Sequence, residues 1–503
     1  MRLVPAAKSI PEQQRAPTGI AGLDDVLGGG LPSGHLYLVE GTPGSGKTTL
    51  GLQFLLKGSE LGEAGLYITL SETKSELLTV AASHGWSLDG IDIFELMTED
   101  GLSPDAEQSV LHPSEVELGE TTREIMAITD RVKPRRIVFD SLSEMRLLAQ
   151  HPLRYRRQVL ALKSFFAARD CTVLLLDDRS AQHEELQLHS IAHGVISFEQ
   201  YTNAYGPERR RLRIVKMRGI PIRGGEHDCS LETGGLEVFP RLVASEHKST
   251  HKPELVSTGS PALDELLGGG LSRASNTLFT GPSGVGKTTT AISCVRDALL
   301  RGEKATYFLF DEGLNTLLTR ARAVGLDVEP FLHDGQLAIH TLDPAEVAPG
   351  AFANFVRACV EAGSRTVVID SLNAYLQAMP GDKHLLLQMH EVLSYLNQQG
   401  VVTVLILSQH GVVGQMRSDI DLSYLSDGIL MFRFFEGRGS LLKAVSVVKS
   451  RTSAHELTVR EFRVTSEGIQ VGDALTDFEG VMSGVAKYRG KVPLLSDADG
   501  KRA

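Results

Sequence analysis

The chain has 503 residues, 42% hydrophobic and 22% charged, an ordinary globular mixture long enough for two to four domains. Its formal net charge of -11 offers no overall attraction to a polyanion and argues against nucleic acid as the main partner. Cys171, Cys229, Cys294 and Cys359 are scattered without CxxC spacing, so neither a zinc ribbon nor a disulfide framework is expected.

Residues 1–17 lack the apolar run of a signal peptide, and no later run approaches the length of a membrane span; a cytoplasmic protein without a membrane partner is expected. From Thr18 the chain reads TGIAGLDDVLGGGLPSG, and this segment returns from Thr258 as TGSPALDELLGGGLSRA, 240 residues later. Repetition at a fixed offset indicates two copies of one domain. In the first copy HLYLVE reads as a buried strand leading into Gly41, Thr42, Pro43, Gly44, Ser45, Gly46, Lys47 and Thr48, with Thr49 next. This is a GxxxxGK[ST] loop: its backbone N–H groups turn inward around nucleotide phosphates, the lysine reaches the outer phosphates and the threonine hydroxyl ligates Mg²⁺. TTLGLQFLLKGSE follows as a helix whose positive end faces the phosphates. GLYITL is the next strand, and Glu72 just beyond it is a candidate to activate the attacking water; a helix-start acid complementing the macrodipole is the competing reading. RRIVFD then delivers Asp140 to the carboxyl edge of the sheet, where it can hold a Mg²⁺ water opposite the loop, or cap the following helix. IDIFELM and TVLLLDD are further strands of a mostly parallel sheet. A β-rich stretch with the hairpin signal AYGPERRR ends in KMRG, which carries Lys216 and Arg218.

Residues 246–255 are polar, charged and broken by Pro253, so they read as a linker between domains over 18–245 and 256–481. The second copy repeats the pattern: Gly281, Pro282, Ser283, Gly284, Val285, Gly286, Lys287 and Thr288 form its loop, with Thr289 next. ATYFLF leads to Asp311 and Glu312, TVVID to Asp370, and a late segment carries Lys449 and Arg451. VFDSL and VIDSL lie at an offset of 230 rather than 240, which places about ten extra residues of the first copy around Glu99 to Pro113. The stretch 482–503 has no clear period and reads as a mobile tail. The fold class expected is α/β: two tandem P-loop domains, each a mostly parallel sheet flanked by helices and followed by β-hairpins.

The TG…GLD…GGG opening, the P-loop, the acid-bearing turn, the DSL strand end and the late K-x-R segment, each present twice, resemble the KaiC family of circadian-clock ATPases within the RecA-like superfamily. The resemblance spans Thr18 to about Gly480. It implies two stacked RecA-like domains, assembly as a homohexamer, and ATP bound at interfaces between subunits. It also implies that Lys216 with Arg218, and Lys449 with Arg451, act on a neighbouring subunit's phosphates. The family's paired glutamates after the second strand fall here on Ser71 with Glu72 and on Asp311 with Glu312, so the first copy has lost one acid and is expected to turn over less. The family's second domain also phosphorylates itself. Carried over, the acceptors are Ser423 and Tyr424, which leaves Ser423 as the candidate. Regulatory or signalling proteins are the implied partners. A RecA-like DNA-stimulated motor and an ATP-sensing scaffold with negligible hydrolysis are the competing functions.

Overall fold

The computed structural model describes residues 14–96, 113–149, 151–179, 186–202, 206–247, 249–377, 385–409, 424–437, 439–482 and 486–490. The expected insertion lies almost wholly outside these residues, as does Ser423. Two compact units divide the chain, 1–241 and 242–503.

Each unit contains, among the described residues, a nine-stranded sheet with the same strand order. In the first, Leu36–Gly41 is central, with Thr172–Asp178, Arg136–Asp140, Gly65–Thr69 and Ile91–Glu95 running parallel on one side. Gly194–Tyr201 pairs with it in parallel on the other side. Beyond that strand Arg209–Met217, Glu226–Glu232 and Gly235–Phe239 are added antiparallel. In the second unit Ser275–Gly281 takes the central place between Val402–Ser408 and Gly428–Gly437, and the antiparallel extension is Ser440–Ser450, Arg460–Thr465 and Gly468–Ala474. The apolar runs of the central strands are buried on both faces because helices cover both. This is the tandem RecA-like arrangement expected, with the hairpins in place.

The repeated opening has a local cause. Thr18 donates from its backbone N–H and its hydroxyl to Asp24 Oδ1, at 2.7 and 2.8 Å. Thr258 does the same to Asp264 Oδ1, at 2.8 and 2.6 Å. Each lock fixes a one-turn helix ahead of the glycine triplet, and a short strand pair closes the turn, Arg15–Ala16 with Leu31–Pro32 and Leu255–Val256 with Leu271–Ser272.

The stretch expected to be a linker, 246–255, is preceded by residues 242–245 that already belong to the second unit. Leu242 and Ala244 enter that unit's core. Ala244 N–H donates to Glu391 at 3.1 Å, the His247 ring meets Tyr395 edge-on at 5.2 Å, and Ser249 donates to the Gln398 carbonyl. Within the stretch, His247 and Ser249 lie along helix Leu385–Gln398 of the second unit. The tail expectation is likewise corrected over its first residues: Lys487–Tyr488 pairs antiparallel with Phe478–Glu479, and the Tyr488 ring packs on Phe478 at 5.3 Å.

One buried cation has no counterpart in the repeat. Arg136 is 1% exposed, and it donates to Glu63 at 2.5 Å, to the Pro17 carbonyl at 2.6 Å and to the Phe54 carbonyl at 2.8 Å. Its guanidinium lies over the Phe54 ring at 4.7 Å. The helix makes room with Gly58, where a Cβ would stand 2.4 Å from Arg136 Cδ. Thr366 occupies the equivalent register of the second sheet. Removing one partner of a buried ionic network leaves the others desolvated and unpaired, so Arg136→Ala is expected to destabilise the first unit by about 3–5 kcal/mol. Urea unfolding followed by unit-specific probes should show the first transition displaced and the second unmoved.

Candidate nucleotide-binding sites

Both P-loops sit where a central strand ends and a helix begins, Lys47–Glu60 in the first unit and Lys287–Leu300 in the second. The residue before each helix is a glycine with positive φ, Gly46 at 104° and Gly286 at 121°, a conformation that side chains with a Cβ rarely adopt. Thr42, Pro43, Gly44 and their counterparts Pro282, Ser283 and Gly284 form the turn itself. Val285 points into the hydrophobic core, so only its backbone can face a phosphate. Thr49 and Thr289 are buried within the helices.

The lysines are buried at the loop. Lys47 Nζ donates to the Gly41 and Thr42 carbonyls, both at 2.9 Å, and pairs with Asp178 Oδ1 at 2.8 Å. Lys287 Nζ donates to the Gly281 and Pro282 carbonyls, both at 2.8 Å. Burial pushes the Lys287 amine down to about 8, because neutral carbonyls compensate a buried charge poorly; anionic phosphate oxygens supply what is missing.

The strand-end acids reach the loops from the next strand but one. Thr48 Oγ1 donates to Asp140 Oδ2 at 3.2 Å, and Thr288 Oγ1 to Asp370 Oδ2 at 2.8 Å. Each carboxylate accepts a second bond from a buried tyrosine, Tyr67 at 2.5 Å and Tyr307 at 2.7 Å. Burial raises the proton affinity of both acids against these hydrogen bonds. Their Asp–Ser peptide bonds, Asp140–Ser141 and Asp370–Ser371, are both cis. Among the described residues no cluster of three His, Cys, Asp or Glu forms a closed metal cage. A hydroxyl facing one carboxylate is a donor set for a hard cation that takes its other ligands from water and phosphate.

The candidate catalytic acids differ between the sites. Glu72 is fixed by its backbone, whose N–H donates to Thr69 Oγ1 at 3.0 Å and whose carbonyl accepts from the Thr69 hydroxyl at 2.8 Å, while Oε2 is buried without a hydrogen-bond partner. Burial first, and then the neighbouring Asp140, pushes its pKa up, toward the range that suits a general base. Glu312 is instead held by Arg320, with one contact at 3.0 Å, and Asp311 accepts from the Ser371 hydroxyl. Lys287, Thr288, Asp311, Glu312, Asp370 and Ser408 face a single solvent-open cleft of about 720 Å³. Glu72, the acid left beside Ser71 in the first site, is therefore free of the ion pair that holds Glu312 in the second.

The K-x-R pairs are not brought to their own P-loops. Lys216 is level with Leu38 through Val195, and Arg218 is level with Leu36 through His193. Lys449 is level with Leu278 through Ile429, and Arg451 with Asn276 through Asp427. Arg218 and Arg451 thus lie five residues back along the strand from Gly41 and Gly281, roughly 17 Å toward the opposite edge of the sheet. Lys216 donates to the Ala192 carbonyl at 2.8 Å, Lys449 to the Ser426 carbonyl at 2.7 Å, and Arg451 pairs with Asp427 at 3.5 Å. Two other cations do reach the loops of their own units: Arg210 Nε lies 3.2 Å from the Gly44 carbonyl and Lys443 Nζ 3.2 Å from that of Gly284.

Sequence reading did not single out Tyr67, Tyr307, Arg210, Lys443 or Asp178. The tyrosines carried a usable signal, since they fall at the same offset of 240 as the loops. Asp178 carried none, because its chemistry depends on the lysine it meets.

Two P-loops, each opposed by a strand-end carboxylate on a mostly parallel sheet, define a tandem RecA-like ATPase that binds and hydrolyses ATP. The model of the ATPase family KaiC matches residues 16–243 and 256–476, and the chain belongs to that family. It is 30% identical over 497 residues to the circadian clock oscillator protein KaiC of Parasynechococcus marenigrum (strain WH8102), covering 96% of each chain. Similarity to the protein of that name from Prochlorococcus marinus (strain MIT 9313) is 30% over 491 residues, 94% of this chain and 95% of the relative. The Synechococcus elongatus protein of the same name is 28% identical over 475 residues, 93% and 91%. Among the described residues no helix is long and apolar enough to cross a membrane.

Proposed function

We propose that the chain works as a homohexameric, two-tiered ATP-driven switch in the cytoplasm, with nucleotide sites completed between subunits and with self-phosphorylation at Ser423 in the second unit. The observation that carries this reading is the place of the K-x-R cations. In both units they stand away from their own P-loop, which agrees with the family resemblance, in which such cations act on a neighbouring subunit's phosphates. Thr48 with Asp140, and Thr288 with Asp370, would hold Mg²⁺, which when bound offsets charge on the β- and γ-phosphate oxygens. Lys47 and Lys287 bind and orient the phosphates. Glu72 and, in the second site, Glu312 with Asp311 take the proton of the attacking water as its oxygen bonds to the γ-phosphorus and ADP leaves. In self-phosphorylation a serine hydroxyl takes the place of that water. Regulatory proteins are the partners, read out through the assembly and its phosphorylation.

Single-turnover assays with γ-labelled ATP on Lys47→Ala and Lys287→Ala chains test the division of work. Each change is expected to remove one site's hydrolysis by about 10²-fold or more, and only Lys287→Ala should abolish label on Ser423. Label that persists in Lys287→Ala, or is absent from Ser423 in the unaltered chain, rejects the kinase assignment; a monomer in light scattering with and without ATP rejects the ring.

A further inference from the structure

The two P-loop lysines are neutralised differently. In the first unit the residue paired across the sheet with Gly41 is Asp178, whose carboxylate holds Lys47 at 2.8 Å. In the second unit the residue paired with Gly281 is Ser408, and Lys287 is held by backbone carbonyls. Asp178 is half-exposed, at 46% of its side chain, so it stands at the mouth of the site rather than in the core. Its neighbour Asp177 is buried and paired with Arg146, which gives that acid a structural partner and leaves Asp178 facing the loop.

A P-loop lysine spans the β- and γ-phosphates of a bound triphosphate. A carboxylate already on that lysine is therefore in the place of the outer phosphate. Resting on the reading of this loop as a nucleotide site, we infer that Asp178 is a specificity-determining residue that sets the first site against the γ-phosphate, so that it favours a nucleoside diphosphate over a triphosphate relative to the second site. A diphosphate leaves the terminal position to Asp178, and the Lys47 pair persists beside it. A triphosphate must displace the carboxylate and then lie next to it. Two like charges in van der Waals contact in a partly solvated site repel one another, and a divalent cation screens that repulsion only in part. Glu72 and Asp140 belong to the same field: after burial and other nearby groups, the charge of Asp178 adds to the upward push on both. Following hydrolysis and loss of phosphate, Asp178 recaptures Lys47 and holds the product state.

Equilibrium binding separates this from a general weakening of the site. In a Lys287→Ala chain, where only the first site binds, Asp178→Ser is expected to tighten AMP-PNP by about ten- to a hundredfold and ADP by less than about threefold, both with Mg²⁺. Asp178→Asn should behave like the serine variant, and Asp178→Glu should keep the discrimination. The reciprocal change, Ser408→Asp in a Lys47→Ala chain, is expected to weaken AMP-PNP at the second site and leave ADP nearly unchanged, a selective effect that unfolding does not produce. Equal shifts for the two nucleotides, or none for either, overturn the inference and leave the nucleotide site standing. A Lys287→Ala chain that binds neither nucleotide overturns both.

Discussion

ATP turnover at the second site is expected to fall by roughly 10³-fold or more when Lys449 and Arg451 are both changed to alanine, and to return when that variant is mixed with a Lys287→Ala chain. The first chain keeps a complete P-loop and lacks the cations; the second keeps the cations and lacks the lysine of the loop. Both cations lie at the strand edge remote from Gly281, level with Leu278 and Asn276, so neither defect can be repaired within its own unit. Among their contacts are the Ser426 carbonyl and Asp427; a carbonyl and a partly exposed carboxylate hold a cation in position without committing it. Phosphate release is measured over the rate left in the Lys287→Ala chain. A mixture no faster than the average of its two components, or a double variant that turns over normally, removes these residues from the reaction.

Glu312→Gln is expected to lower second-site turnover by about 10²–10⁴-fold while ATP affinity stays within about threefold. The amide keeps the shape of the side chain and loses the capacity to accept the water's proton. The local structure sharpens the test. Glu312 is engaged by Arg320, and Asp311 by the Ser371 hydroxyl, so one acid must leave its partner before it can act. The pair is part-exposed, with side chains 21% and 37% accessible, and ion pairs of that kind separate at small cost. Rapid-quench measurement of the chemical step decides the matter: an unchanged rate would pass the role to Asp311.

How much of this was legible in the sequence depends on whether a residue acts alone or through a partner. The glycines at Gly46 and Gly286 announce a backbone that few other residues adopt, and the apolar runs before them announce buried parallel strands. The strand-end acids Asp140 and Asp370 follow from the same runs. Arg136 and Asp178 break the repeat and could be read only as unmatched charges. Arg136 lies in a register where the second copy has threonine, and only the three-dimensional meeting of Pro17, Phe54, Gly58 and Glu63 shows what it holds. The polarity of 246–255 marks a segment between the two copies, but it does not tell that His247 and Ser249 lie along a helix. The three buried thiols, Cys171, Cys229 and Cys294, and the half-buried Cys359 are free, as their spacing suggested.

Each unit carries a loop at one edge of its sheet and a matched cation pair toward the other. If those cations serve a second copy, as proposed, plug and socket lie on different sides, so copies would meet head to tail and not through self-complementary faces, and the contact would repeat until its rotation closes a ring. An open run of such chains always has one socket unfilled in each tier. In the proposed assembly, closing the circle would fill it, so nucleotide itself would reward closure, and the site that holds nucleotide longest would decide how long the circle lasts.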